Sequence, residues 1–374
     1  MIAALLGSLV GSITGMIPGL HTNLVAAILL STMLPRTFLV PFLLAAAIAH
    51  TITDAIPSTY LGAASSETAL AVMPAHKMLL QGRGYEAVVI AVRASVLAIL
   101  CTILLTPLLA WILPTSYAAI KPLTWYVLVG LTGVWLATTG KGVLIFLLSG
   151  LLGLIVLDST AQPLFALLTG LFGTSTLLLT TETSVPDQTT ALFDRPQYRF
   201  VLLGVLGGLV MNLLPAMSTS HTAALFPFQA GHLTLVSSIN AADQALTPVM
   251  LAVLEKARSG SAEAILSLVR IGVPHLLWLG GVMLVAAGVA ALFTLVTARF
   301  AQQVLPKIPY KRMNTLIIVG LGVTAFLLSG HRGLLVLATA TALGAFSQIL
   351  RCPRATAMGC LILPTLVRLA PIQS

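Results

Sequence analysis

Gly7-Ser8-Leu9-Val10-Gly11-Ser12-Ile13-Thr14-Gly15-Met16-Ile17-Pro18-Gly19-Leu20-His21-Thr22-Asn23 is the stretch from which the chain can be read. Its glycines at 7, 11, 15 and 19 fall on one helix face. A face without side chains lets another helix approach closely, the small-residue packing of membrane helices. Pro18-Gly19 then interrupts the apolar run, because proline removes a backbone donor and glycine permits a sharp turn. A broken helix is tolerated at membrane depth only where its freed backbone groups face protein, a cavity or a ligand. The pattern returns at Gly204-Val-Leu-Gly-Gly208-Leu-Val-Met-Asn212-Leu-Leu-Pro215-Ala216-Met-Ser218-Thr219-Ser220-His221. Gly7 pairs with Gly204, Gly11 with Gly208, Pro18 with Pro215, Thr22 with Thr219 and Asn23 with Ser220. Interrupted apolar segments at matching places in two halves point to a transporter binding site.

Further pairings keep the same order along the chain. Glu86–Arg93 matches Glu263–Arg270, Thr139-Gly140-Lys141-Gly142 matches Ser329-Gly330-His331-Arg332-Gly333, and Gln162-Pro163 matches Cys352-Pro353. Asp54 pairs with Asp243. We therefore expect an all-α polytopic membrane protein made of two homologous repeats, residues 1–195 and 196–374. Each would hold a broken, re-entrant helix and about five long helices. The expected spans are 38–56, 85–112, 122–139, 141–157 and 161–180, then 233–254, 263–297, 313–329, 332–350 and 355–370. An odd number of spans per unit inverts the second against the first. Charge agrees: with Lys77, Arg83 and Lys141 inside, the Arg299–Arg312 loop, Arg351 and Arg354 are also inside. Lys256, Arg258 and Arg332 then lie outside, as does the dissenting Lys121.

Composition excludes other classes. The 374 residues are 58% apolar and only 8% charged, against roughly a quarter charged in soluble domains. Mean hydropathy is +1.03. The net charge of +9 comes from cations scattered at helix ends, with no basic and aromatic patch for nucleic acid. Cys101, Cys352 and Cys360 show neither metal-site nor disulfide spacing. No basic N-terminal region or cleavage site suggests a removable signal peptide. Neither His-Glu-x-x-His nor Gly-x-Ser-x-Gly occurs, so no catalytic residue or cofactor is expected.

The candidate substrate-binding residues flank the breaks: Gly19, His21, Thr22 and Asn23, and Ser218, Thr219, Ser220 and His221. A helix restarting after each break would aim unpaired amides and its dipole at an anion. Thr22, Asn23 and the 218–220 hydroxyls also suit simple helix capping. Arg93 and Arg270, each placed two turns into an apolar helix, could attract the anion or snorkel to the surface. Asp54, Asn240 and Asp243 are the candidates for ion coupling, since a carboxylate in apolar sequence is costly and usually functional. The same acids could instead cap turns at the interface. Ser65-Ser-Glu67-Thr68 reads as a helix start, and Gln81–Gly84 and Lys256–Gly260 as surface turns.

At these residues the chain resembles the TctA-type permease, the large membrane subunit of tripartite tricarboxylate transporters, and most closely its short archaeal-type members. The resemblance rests on Gly11-x3-Gly15-x2-Pro18-Gly19, on Asp54-Ala-Ile-Pro57 and on Leu79-Leu-Gln-Gly-Arg-Gly-Tyr-Glu86-Ala. It covers nearly the whole chain. It implies transport of citrate or a related carboxylate across the cell membrane, driven by Na⁺ or H⁺. It also implies an extracytoplasmic solute receptor and a small membrane subunit as partners. Pro215-Ala216 departs from the expected Pro-Gly. A polyprenyl-phosphate or other lipid-phosphate translocase is the alternative, because inward hydroxyls and arginines would suit that headgroup too. Oligomeric state stays open, a homodimer among the options.

Overall fold

The computed structural model describes residues 1–17, 22–32, 34–61, 69–159, 163–179, 186–189, 197–214, 217–224, 226, 231–304 and 310–371. Pro18–His21, Ser65–Thr68 and Pro215-Ala216 lie outside the described residues. Among those described, the regular structure is helical: α1 (Ile2–Met16), α2 (Thr22–Leu30), α3 (Arg36–Thr53), α4 (Ala69–Leu80), α5 (Gly84–Ile120), α6 (Thr124–Ala137), α7 (Gly142–Val156), α8 (Pro163–Leu168), α9 (Ser175–Leu179), α10 (Tyr198–Leu213), α11 (Thr219–Ala224), α12 (His232–Leu254), α13 (Gly260–Leu268), α14 (Leu276–Val304), α15 (Tyr310–Ile349) and α16 (Gly359–Arg368). Wide π-turns follow α3 at Pro57–Leu61 and join α8 to α9 at Thr169–Thr174.

The chain is an all-α polytopic membrane protein. Among the described residues, four helical segments are long and apolar enough to cross a bilayer: Arg36–Leu61, Gly84–Ala137, Val273–Val304 and Asn314–Ile349. Large apolar side chains cover the outside, Leu104 and Trp111 each being 79% exposed and Leu277 88%. In water such a surface would be a liability, whereas lipid accepts it.

Glycine decides how the helices meet. A Cβ at Gly7, Gly11 or Gly15 would run into the backbone of Phe42, Ala46 and His50, so α1 lies directly on α3. Gly204 and Gly208 bring α10 onto Ser238 and Ala242 of α12 in the same way. Packing then runs crosswise between the halves: α1 and α3 rest on α14, α10 and α12 on α5, α2 on α13 and α11 on α4. One buried apolar cluster unites α1, α3, α5, α12 and α14. A second unites α7, α8, α9, α15 and α16.

Two expectations need correction. The span 263–297 is not one helix: α13 ends at Leu268, Val269 is extended (φ −156, ψ 142), and α14 begins at Leu276. Pro274 explains the interruption, since it offers no donor and disfavours helix in the residue before it. Arg270 therefore sits in an extended link, where its counterpart Arg93 sits inside the continuous α5. The pairing of Asp54 with Asp243 also fails in register. Gly11 meets Ala46 where Gly208 meets Ala242, which puts Asp243 level with Ala47, about two turns from Asp54. The split expected between 313–329 and 332–350 is present, because Gly330 takes φ 62 and ψ −153 inside α15. Only glycine enters that region cheaply.

Candidate functional site

The end of α10 carries a buried ionic cluster. Asn212 Nδ2 donates to the Gly208 carbonyl one turn back (3.0 Å) and to Asp243 Oδ1 on α12 (2.8 Å). Gln244 Nε2 donates to the other carboxylate oxygen (3.2 Å). Asp243 is buried, at 8% exposure. Its charge is answered by Arg258, whose Nε lies 3.5 Å from Oδ1. A buried carboxylate without such a partner would be strongly destabilising.

Arg258 also reaches across the interruption. Its Nη1 donates to the Leu214 carbonyl (3.1 Å) and its Nη2 to the Met217 carbonyl (2.6 Å). Lys256 Nζ donates to the carbonyls of Asn212 (2.8 Å) and Leu213 (3.1 Å) and lies over the Tyr117 ring. The last carbonyls of a helix have no partner within it and carry the negative end of its dipole. Two cations from one loop thus close the C-terminus of α10 where the chain leaves it. That loop starts as Glu255 turns out of α12 with φ 46. It stands outside the spanning helices, where burial and the neighbouring Arg258 lower the Lys256 pKa to about 8. Lys256–Gly260 was expected to be a surface turn; its two cations instead point inward. Two basic residues directly after an apolar helix were the signal, hidden by the assumption that helix-end cations only face water.

The matching end of α1 carries a different contact. Thr14 Oγ1 donates to the Gly11 carbonyl (3.0 Å) and lies 3.1 Å from His50 Nδ1 on α3. Asp54 lies past the C-terminus of α3, half-buried, and takes the Ser58 hydroxyl on its backbone carbonyl (2.6 Å).

The other candidates separate. Gly19 and His21 fall outside the described residues, as do the side chains of Ser220 and His221. Thr22 opens α2 half-buried, and Asn23 packs over Gly260 at the start of α13. Thr219 opens α11 fully buried and donates to Asn240 Oδ1 (3.4 Å), while Ser218 lies 3.9 Å from Met358 Sδ. α11 is six residues long, so its dipole is small beside that of a full helix. Arg93 is exposed, and Arg270 is exposed with Glu255 3.9 Å away. Asp243 with Asn212, and Asn240 with Thr219, are therefore the candidates that the fold joins in two buried hydrogen-bonded pairs along α12. Among the described residues no group of three His, Cys, Asp or Glu could hold a metal ion.

Residues 1–359 match the family model described as the tripartite tricarboxylate transporter TctA family. An uncharacterized protein of Methanocaldococcus jannaschii is 36% identical over 124 residues, 32% of this chain and 31% of that protein. The match thus spans about a third of the length of that curated relative. No solved structure matches.

Proposed function

The chain belongs to the tripartite tricarboxylate transporter TctA family, and from that premise we propose that it is an ion-coupled secondary transporter for a tricarboxylate or related organic anion. The observation that carries this reading is the buried Asp243 carboxylate, tied to Asn212 at the end of α10 and to Arg258 beyond it. A carboxylate at that depth responds to a cation arriving nearby, and Arg258 transmits the response to the backbone on both sides of the interruption. Gradient and conformation are then linked through one side chain. The crosswise packing of α2 on α13 and α11 on α4 supports two units, 1–195 and 196–374, that hold each other's broken segments. The residues flanking the interruptions, Thr22, Asn23, Ser218 and Thr219, are the first positions to test for substrate contact. Partners of the tripartite kind, a solute receptor and a small membrane subunit, belong to the same reading, as does placement in the cell membrane.

Uptake into proteoliposomes tests it. Citrate and a panel of shorter carboxylates are offered under an inward Na⁺ gradient, an inward H⁺ gradient, or neither, with and without the partner subunits. Concentrative uptake of a carboxylate under one gradient is expected. Gradient-independent flipping of a polyprenyl phosphate, with no carboxylate uptake in any arm, would replace this reading with the lipid-phosphate one.

A further inference from the structure

The turn after α15 holds an arginine that no described carboxylate answers. α15 ends in a reversal: Arg351 takes φ 55, and the Cys352 amide donates to the Ser347 carbonyl (3.0 Å), a Schellman-type close. Pro353 cannot carry the helix on, and the 3-10 turn Arg354–Met358 follows it. The reversal folds Arg354 back beside Gln348, in the last turn of α15. Glycine brings in the third element. A Cβ at Gly344 would strike the Leu171 carbonyl, so α15 lies directly on the π-turn Thr169–Thr174. α9 continues from that turn with Ser175 and Thr176.

Among the described residues, neutral groups hold the Arg354 guanidinium. Its Nη1 donates to Thr176 Oγ1 (2.7 Å) and its Nη2 to Gln348 Oε1 (2.7 Å). The Gln348 amide is itself fixed, because its Nε2 donates to Ser175 Oγ (3.2 Å) and to the Gly344 carbonyl (3.3 Å). Thr176 Oγ1 donates to the Phe172 carbonyl, so it meets Arg354 with a lone pair. No ion pair among the described residues includes Arg354. A half-buried cation without a counter-charge is costly to keep. By the sequence pairing of Pro163 with Pro353, Leu164 stands where Arg354 does, so a turn after that proline forms without a cation. A guanidinium carries five donors; two are used here, which leaves three for a ligand. Its planar fork matches a carboxylate with two parallel hydrogen bonds. The turn also borders the second interruption: Ser218 Oγ lies 3.9 Å from Met358 Sδ at the far end of the turn, and α11 packs against it.

We propose that Arg354 anchors a carboxylate-binding site beside the second interruption, gripping one carboxylate of the transported anion through its remaining donors, while Gln348 and Thr176 hold its fork in position. The proposal rests on the transport reading for its ligand and adds the residue that grips it.

Equilibrium binding of radiolabelled citrate and succinate to the purified full chain, in neutral detergent and neutral lipid, tests the site. Thermal unfolding with and without each carboxylate is the second readout. Saturable binding and a carboxylate-dependent rise in unfolding temperature are expected in the parent. Arg354→Met should weaken binding about tenfold or more, the loss expected when a hydrogen-bonded charge is removed. Arg354→Lys keeps the charge without the fork and should weaken it less. Without ligand, Arg354→Met should unfold at or above the parental temperature, because it removes an unanswered charge. An arginine kept only to hold α15 would give the opposite: earlier unfolding and parental affinity. Lys311→Gln, which removes an exposed cation elsewhere, should leave affinity unchanged. Absence of saturable carboxylate binding in the parent would overturn the site, as would parental affinity in Arg354→Met. Should Arg354→Met fail to fold, Arg354→Lys decides: lowered affinity at the parental unfolding temperature supports the site, and parental affinity overturns it. Carboxylate uptake kept at parental affinity by Arg354→Met would overturn the site and leave the transport reading standing. Arg354-dependent binding without uptake under any gradient would support the site and remove the transport reading. Saturable binding of a polyprenyl phosphate, with no carboxylate binding, would overturn the site by making its occupant a lipid headgroup.

Discussion

The ends of α1 and α10 are built on one packing plan and carry different chemistry. Gly7, Gly11 and Gly15 seat α1 on α3 as Gly204 and Gly208 seat α10 on α12. Among the described residues, the end of α1 has a contact of Thr14 with His50. At the end of α10 it is Asp243 with Asn212 and Arg258, joined by Lys256 on the helix carbonyls. Close approach of two helices tolerates almost no change at the contacting glycines. The groups that satisfy a helix terminus are interchangeable, so the two ends can carry different polar contacts.

The largest effect should come from breaking the ionic end. Arg258→Leu leaves Asp243 buried without its cation and strips donors from Leu214 and Met217, at a cost of about 3–5 kcal/mol. Thermal unfolding of the purified variant reads it. Adding Asp243→Leu should recover most of the loss, because removing both partners of a buried pair is often close to neutral. No recovery would mean that Arg258 acts through the carbonyls alone. Next, leucine at Gly11 or Gly208 should cost about 1–3 kcal/mol at both ends alike, since both overpack a helix contact. Unequal losses would show that the shared packing plan is not shared energetically. His50→Ala at the end of α1 should cost only about 0.5–1.5 kcal/mol, the worth of an ordinary hydrogen bond.

The smallest effect concerns pH. Lys256 has its pKa lowered to about 8, so it loses its proton as the pH rises through that value, while an unfolded chain still holds it. Deprotonation relieves a buried charge, so stability should not fall between pH 8 and the free-lysine range. What weakens is the donor on the α10 carbonyls, an interaction of the order of 0.3–1 kcal/mol. Transport should therefore decline modestly on the alkaline side with a midpoint near 8. Lys256→Arg should flatten that limb, and an identical profile in the variant would assign the decline elsewhere.

Much of the architecture was legible because glycine spacing and proline carry direct backbone consequences. The close contacts of α1 and α10, the ends of both helices before Pro18 and Pro215, and the bend at Gly330 all follow from residues that leave the backbone little choice. The interruption before Pro274 follows the same logic, though the long apolar run around it masks the signal. The site was less legible. Asp243 and Asn240 stood out as polar residues in an apolar helix, yet their partners come from elsewhere in the sequence. Arg258 reaches Asp243 only because α12 turns back at Glu255, and hydropathy says nothing about which way a loop cation points. Asp54 and Asp243 look equivalent by composition, and only the glycine contacts reveal the difference in register.

Gradient-driven uptake by Asp243→Asn in proteoliposomes, set beside Asp54→Asn and beside gradient-free counterflow of the same substrate, tests the charged end most directly. Asp243→Asn is expected to keep counterflow and lose concentrative uptake, while Asp54→Asn keeps a substantial part of both. Full concentrative uptake by Asp243→Asn would contradict the assignment of ion response to the end of α10.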